Sequence, residues 1–70
     1  MRGSEFLRKL HVLARRKGVP LSFVAAKGKG SHGTVHFGGS STVLKDQKKE
    51  LGIGLLRAMC KDLEIDPQDL

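Results

Sequence analysis

Three features of the 70-residue chain predict an α+β fold of order α-β-β-β-α, a three-stranded antiparallel sheet with two helices on one face. Both ends carry apolar residues at helical spacing, the middle carries them at alternate positions, and Gly38-Gly39 stands where two alternating runs must reverse. A chain of this length is expected to form a single domain over residues 1–70. Such a domain buries only about 60% of the surface its unfolded chain exposes, so any binding site is expected to be shallow, with no room to enclose a large cofactor.

Phe6, Leu7, Leu10, Leu13 and Ala14 fall on one side of a helix expected over residues 5–17. Lys9, Arg15, Arg16 and Lys17 crowd its second half, where positive charge complements the helix dipole, and Gly18 and Pro20 end it. Met1-Arg2-Gly3-Ser4 has two readings: the start of an expression tag, or a native lead-in whose Ser4 caps the helix. Leu21, Phe23 and Ala25 alternate through residues 20–26, as a half-buried strand requires. The basic segment Lys27-Gly28-Lys29-Gly30-Ser31 reads as a turn.

In the next run, His32-Gly33-Thr34-Val35-His36-Phe37, Val35 and Phe37 face one side while His32, Thr34 and His36 face the other. Gly38-Gly39 then turns the chain into a returning strand over residues 40–45. A loop of two or four residues puts Leu44 beside Val35 on the buried face and Lys45 on the face of His32; a three-residue loop reverses both. Residues 46–52 read as a polar connection, and Ile53, Leu56, Met59, Cys60 and Leu63 as the apolar stripe of the second helix. Asp66-Pro67 is expected to end the regular structure.

Thirteen Lys and Arg against seven Asp and Glu leave a formal charge of +6. Such an excess favours a polyanionic partner, because lysine and arginine neutralise phosphates and release condensed counterions before any base is read. Cys60 is the sole cysteine, which excludes an internal disulfide and a cysteine-rich metal site and fits a reducing, cytoplasmic setting. No apolar run approaches the roughly 20 residues of a membrane span, so no membrane partner is expected.

His32, on the open face where a glycine-rich turn becomes a strand, stands near Lys27, Lys29 and, if the turn length allows, Lys45; by spacing alone a surface histidine in a turn is the better explanation, and a catalytic residue the alternative. Cleaving RNA without a metal takes a base for the 2′-hydroxyl proton, an acid for the leaving 5′-oxygen and positive charge on the transition state. An imidazole serves either proton role near neutral pH, for roughly 10²–10⁴-fold in rate, and lysines supply the charge. Ser31 adds a hydroxyl donor for a phosphate. His36, two pleats along the same face and taken to be about 7 Å away, offers a second proton-transfer group or a stacking partner for a base, but an ordinary exposed strand residue is the better explanation. His11 has no polar partner in view. His32 and His36 have the spacing of a zinc pair, but only Cys60, on the apolar stripe, and scattered carboxylates remain to complete a site, so no metal is expected. The Lys27-Gly28-Lys29-Gly30 run lacks the spacing of a nucleotide-binding phosphate loop and leads into no helix.

Taken in order, Ser4-Glu5-Phe6-Leu7, Lys29-Gly30-Ser31-His32, Lys48-Lys49-Glu50-Leu51 and Gly54-Leu55-Leu56-Arg57 resemble the HicA family of toxin–antitoxin mRNA interferases over nearly the whole chain. The resemblance implies a fold like that of double-stranded-RNA-binding domains and a catalytic histidine, here His32. It also implies ribosome-independent endonucleolytic cleavage of mRNA without a cofactor, and neutralisation by a HicB-type antitoxin that covers the site. The toxin alone is expected to be a monomer that joins a higher-order cytoplasmic complex with the antitoxin. The chain departs from the family pattern at three places: Gly33 stands where a second histidine often follows, Val35 where an aromatic is usual, and Leu44-Lys45-Asp46 where Pro-x-His is frequent. Lys27, Lys29, Ser31, His36 and Lys45 are the residues expected to hold RNA.

A different class of function is a non-catalytic RNA-binding module of the same fold, which would read shape and phosphates. The predicted second helix carries only Arg57 and Lys61 as cations, too few to grip a duplex. A third reading gives the basic face an acidic protein partner, and it is compatible with the first.

Overall fold

The computed structural model describes residues 1–28 and 32–70. Helix α1 spans Gly3–Lys17, strands β1, β2 and β3 span Leu21–Ala25, Gly33–Phe37 and Ser40–Leu44, and helix α2 spans Ile53–Asp62. The sheet is antiparallel throughout, in the order β1-β2-β3. The arrangement is therefore the α-β-β-β-α order expected from the sequence.

Local chemistry explains most of the boundaries. Gly18 ends α1 at φ +68°, and the Val19 amide returns to the Ala14 carbonyl at 3.0 Å, satisfying a carbonyl that the last turn would otherwise leave unpaired. Phe37 pairs with Ser40, so the β2–β3 loop holds only Gly38 and Gly39. The positive φ falls on Gly38, the first of the two, where a type II′ hairpin turn needs glycine. A two-residue loop fixes the parity of the whole hairpin: Val35, Phe37, Thr42 and Leu44 are buried, while His36, Ser41, Val43 and Lys45 are exposed.

Both helices pack on the buried face. Phe6, Leu10, Leu13 and Ala14 from α1 meet Val35, Phe37 and Leu44 of the sheet, and Met59 and Cys60 of α2 together with Leu51, Leu63 and Ile65 complete one apolar cluster. Each fully buried Leu, Val or Phe stabilises the fold by about 1.5–3 kcal/mol relative to exposure. The hydroxyl of Thr42, the one buried polar side chain among the described residues, donates to the Asp62 carboxylate at 2.9 Å and ties β3 to the end of α2. Nearer the turn, the Ser40 hydroxyl donates to Glu64 at 2.7 Å.

Several sequence expectations need correction. Helix α1 begins at Gly3 rather than Glu5, and Ser4 lies inside it without acting as a cap. The amides of Gly3 and Ser4 donate instead to the carbonyls of Lys49 (3.2 Å) and Gln47 (2.8 Å), so a distant backbone segment replaces the side-chain cap. Residues 1–4 are thus part of the packed structure, and the connection at 46–52 is not merely polar: Leu51 enters the core and its amide donates to the Met1 carbonyl at 2.8 Å. Ile53, assigned to the apolar stripe of α2, is 71% exposed, because burial on that helix begins only at Leu56. Ala25 is likewise exposed at the end of edge strand β1, where no helix reaches it. Regular structure extends past Asp66 into a 3₁₀ turn, Pro67–Asp69, whose Gln68 amide donates to the Asp66 carboxylate at 2.9 Å.

Gly3 supplies a direct test. A Cβ there would lie 2.6 Å from the Asp46 carbonyl oxygen and 2.8 Å from the Gln47 Cα, both backbone atoms. In an unobstructed helix Gly→Ala stabilises by about 1 kcal/mol. Here Gly3→Ala is expected to destabilise by about 1–3 kcal/mol through overpacking, read as a lower midpoint in urea unfolding. An unchanged or raised midpoint would show that the two segments do not touch as described.

Candidate functional site

At the end of the hairpin away from its turn, β2 and β3 run out beside the first half of α2. The backbone of His32 is held on one side, where the Ala26 amide donates to its carbonyl at 2.8 Å and so continues the β1–β2 ladder by one pair. On the other side, extending the β2–β3 register one step beyond Gly33 and Leu44 sets Lys45 opposite His32. Side chains directly opposite on neighbouring strands have Cβ atoms about 4.5–5.5 Å apart. Both are exposed.

His32, Lys45 and Lys49 line a cavity of about 380 Å³ together with the apolar residues Val43, Leu44, Leu51, Leu55 and Met59. Lys49 lies in the backbone segment at 47–51 that is tied to residues 1–4. Asp46 and Glu50 also line the cavity. The Asp46 carboxylate accepts from the Lys48 amide at 2.8 Å, and Glu50 pairs with the amino group of Met1. Leu55 is 51% exposed and Val43 is 57% exposed, so both offer aliphatic surface at the cavity. A concave surface with an apolar wall and a few polar groups at its rim is the usual form of a small ligand site.

The other residues singled out from the sequence fare differently. His36 is exposed on the same sheet face, but it stands four residues along from His32 and does not line the cavity. At about 3.3 Å per residue the two backbone positions are roughly 13 Å apart, rather than about 7 Å, which weakens the case for His36 as a proton-transfer partner of His32. Lys27 is exposed in the turn after β1 and is not among the residues lining the cavity. Lys29 and Ser31 lie outside the described residues.

Lys49 and Leu55 are cavity residues to which sequence reasoning assigned no role. A lysine in a polar connection has no periodicity to mark it; only the long-range pairing with the N-terminal residues sets its position.

The sheet explains why the residue after His32 is glycine. The residue after His32 points to the opposite face of the sheet, and a Cβ at Gly33 would lie 2.7 Å from Phe23 Cε1 and 2.8 Å from the Val24 carbonyl oxygen. A histidine here would be driven into the Phe23 ring and away from the cavity. Cys60 is fully buried in the core, where burial first and the Asp66 carboxylate second push its thiol upward, so it remains protonated and unreactive. Among the described residues no group of three or more His, Cys, Asp or Glu could hold a metal ion, and no helix is long and apolar enough to cross a membrane.

Comparison with models of known protein families, with curated proteins and with solved structures found no match.

Two measurements check this geometry. Gly33→Ala should destabilise by about 1–3 kcal/mol by overpacking against Phe23 and the Val24 carbonyl, and a smaller ring partner, Phe23→Leu, should recover part of the loss in the double variant. Cys60 should react with a thiol reagent only in denaturant. Rapid labelling of the native protein at neutral pH would contradict its burial.

Proposed function

We propose that this protein is a metal-independent, ribosome-independent mRNA endonuclease, the toxin component of a toxin–antitoxin pair, with His32 as its catalytic residue. The observation that carries the proposal is an exposed imidazole lining one cavity with Lys45 and Lys49 in a chain of charge +6. Support from the sequence comes from the HicA-like order of its motifs, with Lys29-Gly30-Ser31-His32 at their centre.

The chemistry follows from the groups at hand. Neutral His32 takes the proton of a ribose 2′-hydroxyl, and the 2′-oxygen attacks the adjacent phosphorus. The bond from phosphorus to the 5′-oxygen breaks, leaving a 2′,3′-cyclic phosphate on one fragment. The imidazolium formed in the first half returns its proton to the 5′-oxygen, so the other fragment ends in a 5′-hydroxyl. It acts in both halves because no second imidazole lines the cavity among the described residues. Lys45 and Lys49 offset the negative charge that accumulates on the phosphorane-like transition state. Lys27 and Lys29 hold flanking phosphates and set the strand's register. On the same resemblance, the protein acts in the cytoplasm and is neutralised by a HicB-type antitoxin seated over this cavity.

The presence of a single imidazole at the cavity also favours a second reading, a non-catalytic RNA-binding module. One experiment separates the two. Purified protein incubated with single-stranded RNA in EDTA should yield fragments ending in 2′,3′-cyclic phosphate. His32→Ala should lower the rate by about 10²–10⁴-fold. Its thermal melt should stay nearly unchanged, because the side chain is exposed. Undiminished cleavage by that variant would falsify the assignment of His32, and salt-sensitive binding with no fragments at all would favour the module.

A further inference from the structure

The cavity is built for more than a phosphate. A phosphate needs only Lys45 and Lys49, which share the lining with the carboxylates of Asp46 and Glu50, yet the lining also includes the exposed aliphatic side chains of Val43 and Leu55 and the buried Met59. Leaving Leu55 and Val43 half in water carries a hydrophobic cost of about 25 cal/mol for each Å² left uncovered, a cost that an apolar, uncharged occupant would remove. The occupant must therefore present a flat apolar body beside an anionic group. An unstacked nucleotide has that form, its base against the aliphatic wall and its phosphate on Lys45 and Lys49.

Size and composition agree. About 380 Å³ lies at the small end of the usual range for ligand pockets, about 300–1,000 Å³, and suits one base rather than a stacked pair. The chain also lacks the usual means of holding single-stranded RNA, which is to stack bases on exposed aromatic rings. It has no Trp or Tyr, Phe6 and Phe37 are buried, and Phe23 is half-buried, packed against the core on the face of Gly33. Insertion of a base into the cavity replaces stacking on a surface.

We propose that the space bounded by Val43, Leu55 and Met59 is a nucleobase-binding subsite that takes one unpaired base of a single-stranded RNA while Lys45 and Lys49 hold the adjoining phosphate beside His32. This inference rests on the reading of the site as one that handles RNA, and it names the form of RNA recognised. A base paired in a duplex has both faces covered and cannot enter, so the subsite selects single strands or loops. It also gives the scissile phosphate a fixed place relative to His32, because the neighbouring base is anchored.

The test uses the full chain and a ten-nucleotide RNA with 2′-O-methyl groups throughout to prevent cleavage, followed by fluorescence anisotropy. Three forms are compared: single-stranded, the same strand with abasic sites, and the same strand paired with its complement. The single strand should bind about tenfold more tightly than the other two. Leu55→Ser, at an exposed position and checked by its thermal melt, should bring the affinity for the single strand down to that of the abasic strand without altering the salt dependence. Lys49→Ala should weaken all three forms and reduce the slope of log affinity against log salt by about 1. Equal binding of the base-bearing and abasic strands, or preference for the duplex, overturns the subsite while leaving RNA as the ligand. Failure of every form to bind overturns both the subsite and the RNA reading.

Discussion

The pairing of the first four residues with the segment at 47–51 is the contact on which the remaining architecture depends. Backbone hydrogen bonds from Gly3, Ser4 and Leu51 cross between the two, and a bridge joins Arg2 to Glu50. This one contact does two things. It satisfies amide donors at the start of α1 that no side chain reaches, and it holds the chain between β3 and α2 against the body of the protein. Lys49 and Leu51, which line the cavity, lie in the segment that this contact holds. The close approach demands a glycine at position 3, so a residue with poor helix propensity stands in the first turn for the sake of a long-range contact.

The sheet supplies the opposing side by simpler means. Strand parity places His32 and Lys45 on one face while Gly33 and Leu44 face the core, and the Ala26–His32 hydrogen bond keeps that order to the end of β2. The catalytic proposal thus draws its imidazole from the sheet and its cations from both β3's end and the connection. Two carboxylates share the cavity lining with these lysines: Asp46, which accepts from the Lys48 amide, and Glu50, which pairs with the Met1 amino group.

What could be read from the sequence was what depends on near neighbours. The alternation of Val35 and Phe37 against Thr34 and His36, the Gly38-Gly39 turn and the stop at Gly18 each follow from rules spanning a few residues, and the element order follows from them. What could not be read depends on contacts across the chain. Ser4 looks like a cap because its type suits one, yet the Gln47 carbonyl occupies the role. Ile53 fits the apolar stripe of α2 but sits where the helix has not yet met the core. His32 and Lys45 were legible as a pair on one face once the turn length was fixed, whereas Lys49, Leu55 and the cavity between them required the folded chain. His36 shows the reverse error: sharing a face is not the same as sharing a site, because a strand carries its residues away from one another at about 3.3 Å per step.

The two-glycine turn also governs how this chain tolerates change over generations. An insertion or deletion of one residue at the hairpin tip, unless absorbed as a bulge, would rotate all of β3 by one step and exchange its inner and outer residues. Leu44 would move to water and Lys45 into the core, at the opposite end of the hairpin from the lesion. The hairpin thus distinguishes odd from even changes of length at its tip: steps of two preserve its far end, and single steps disturb it about five residues from where they arise.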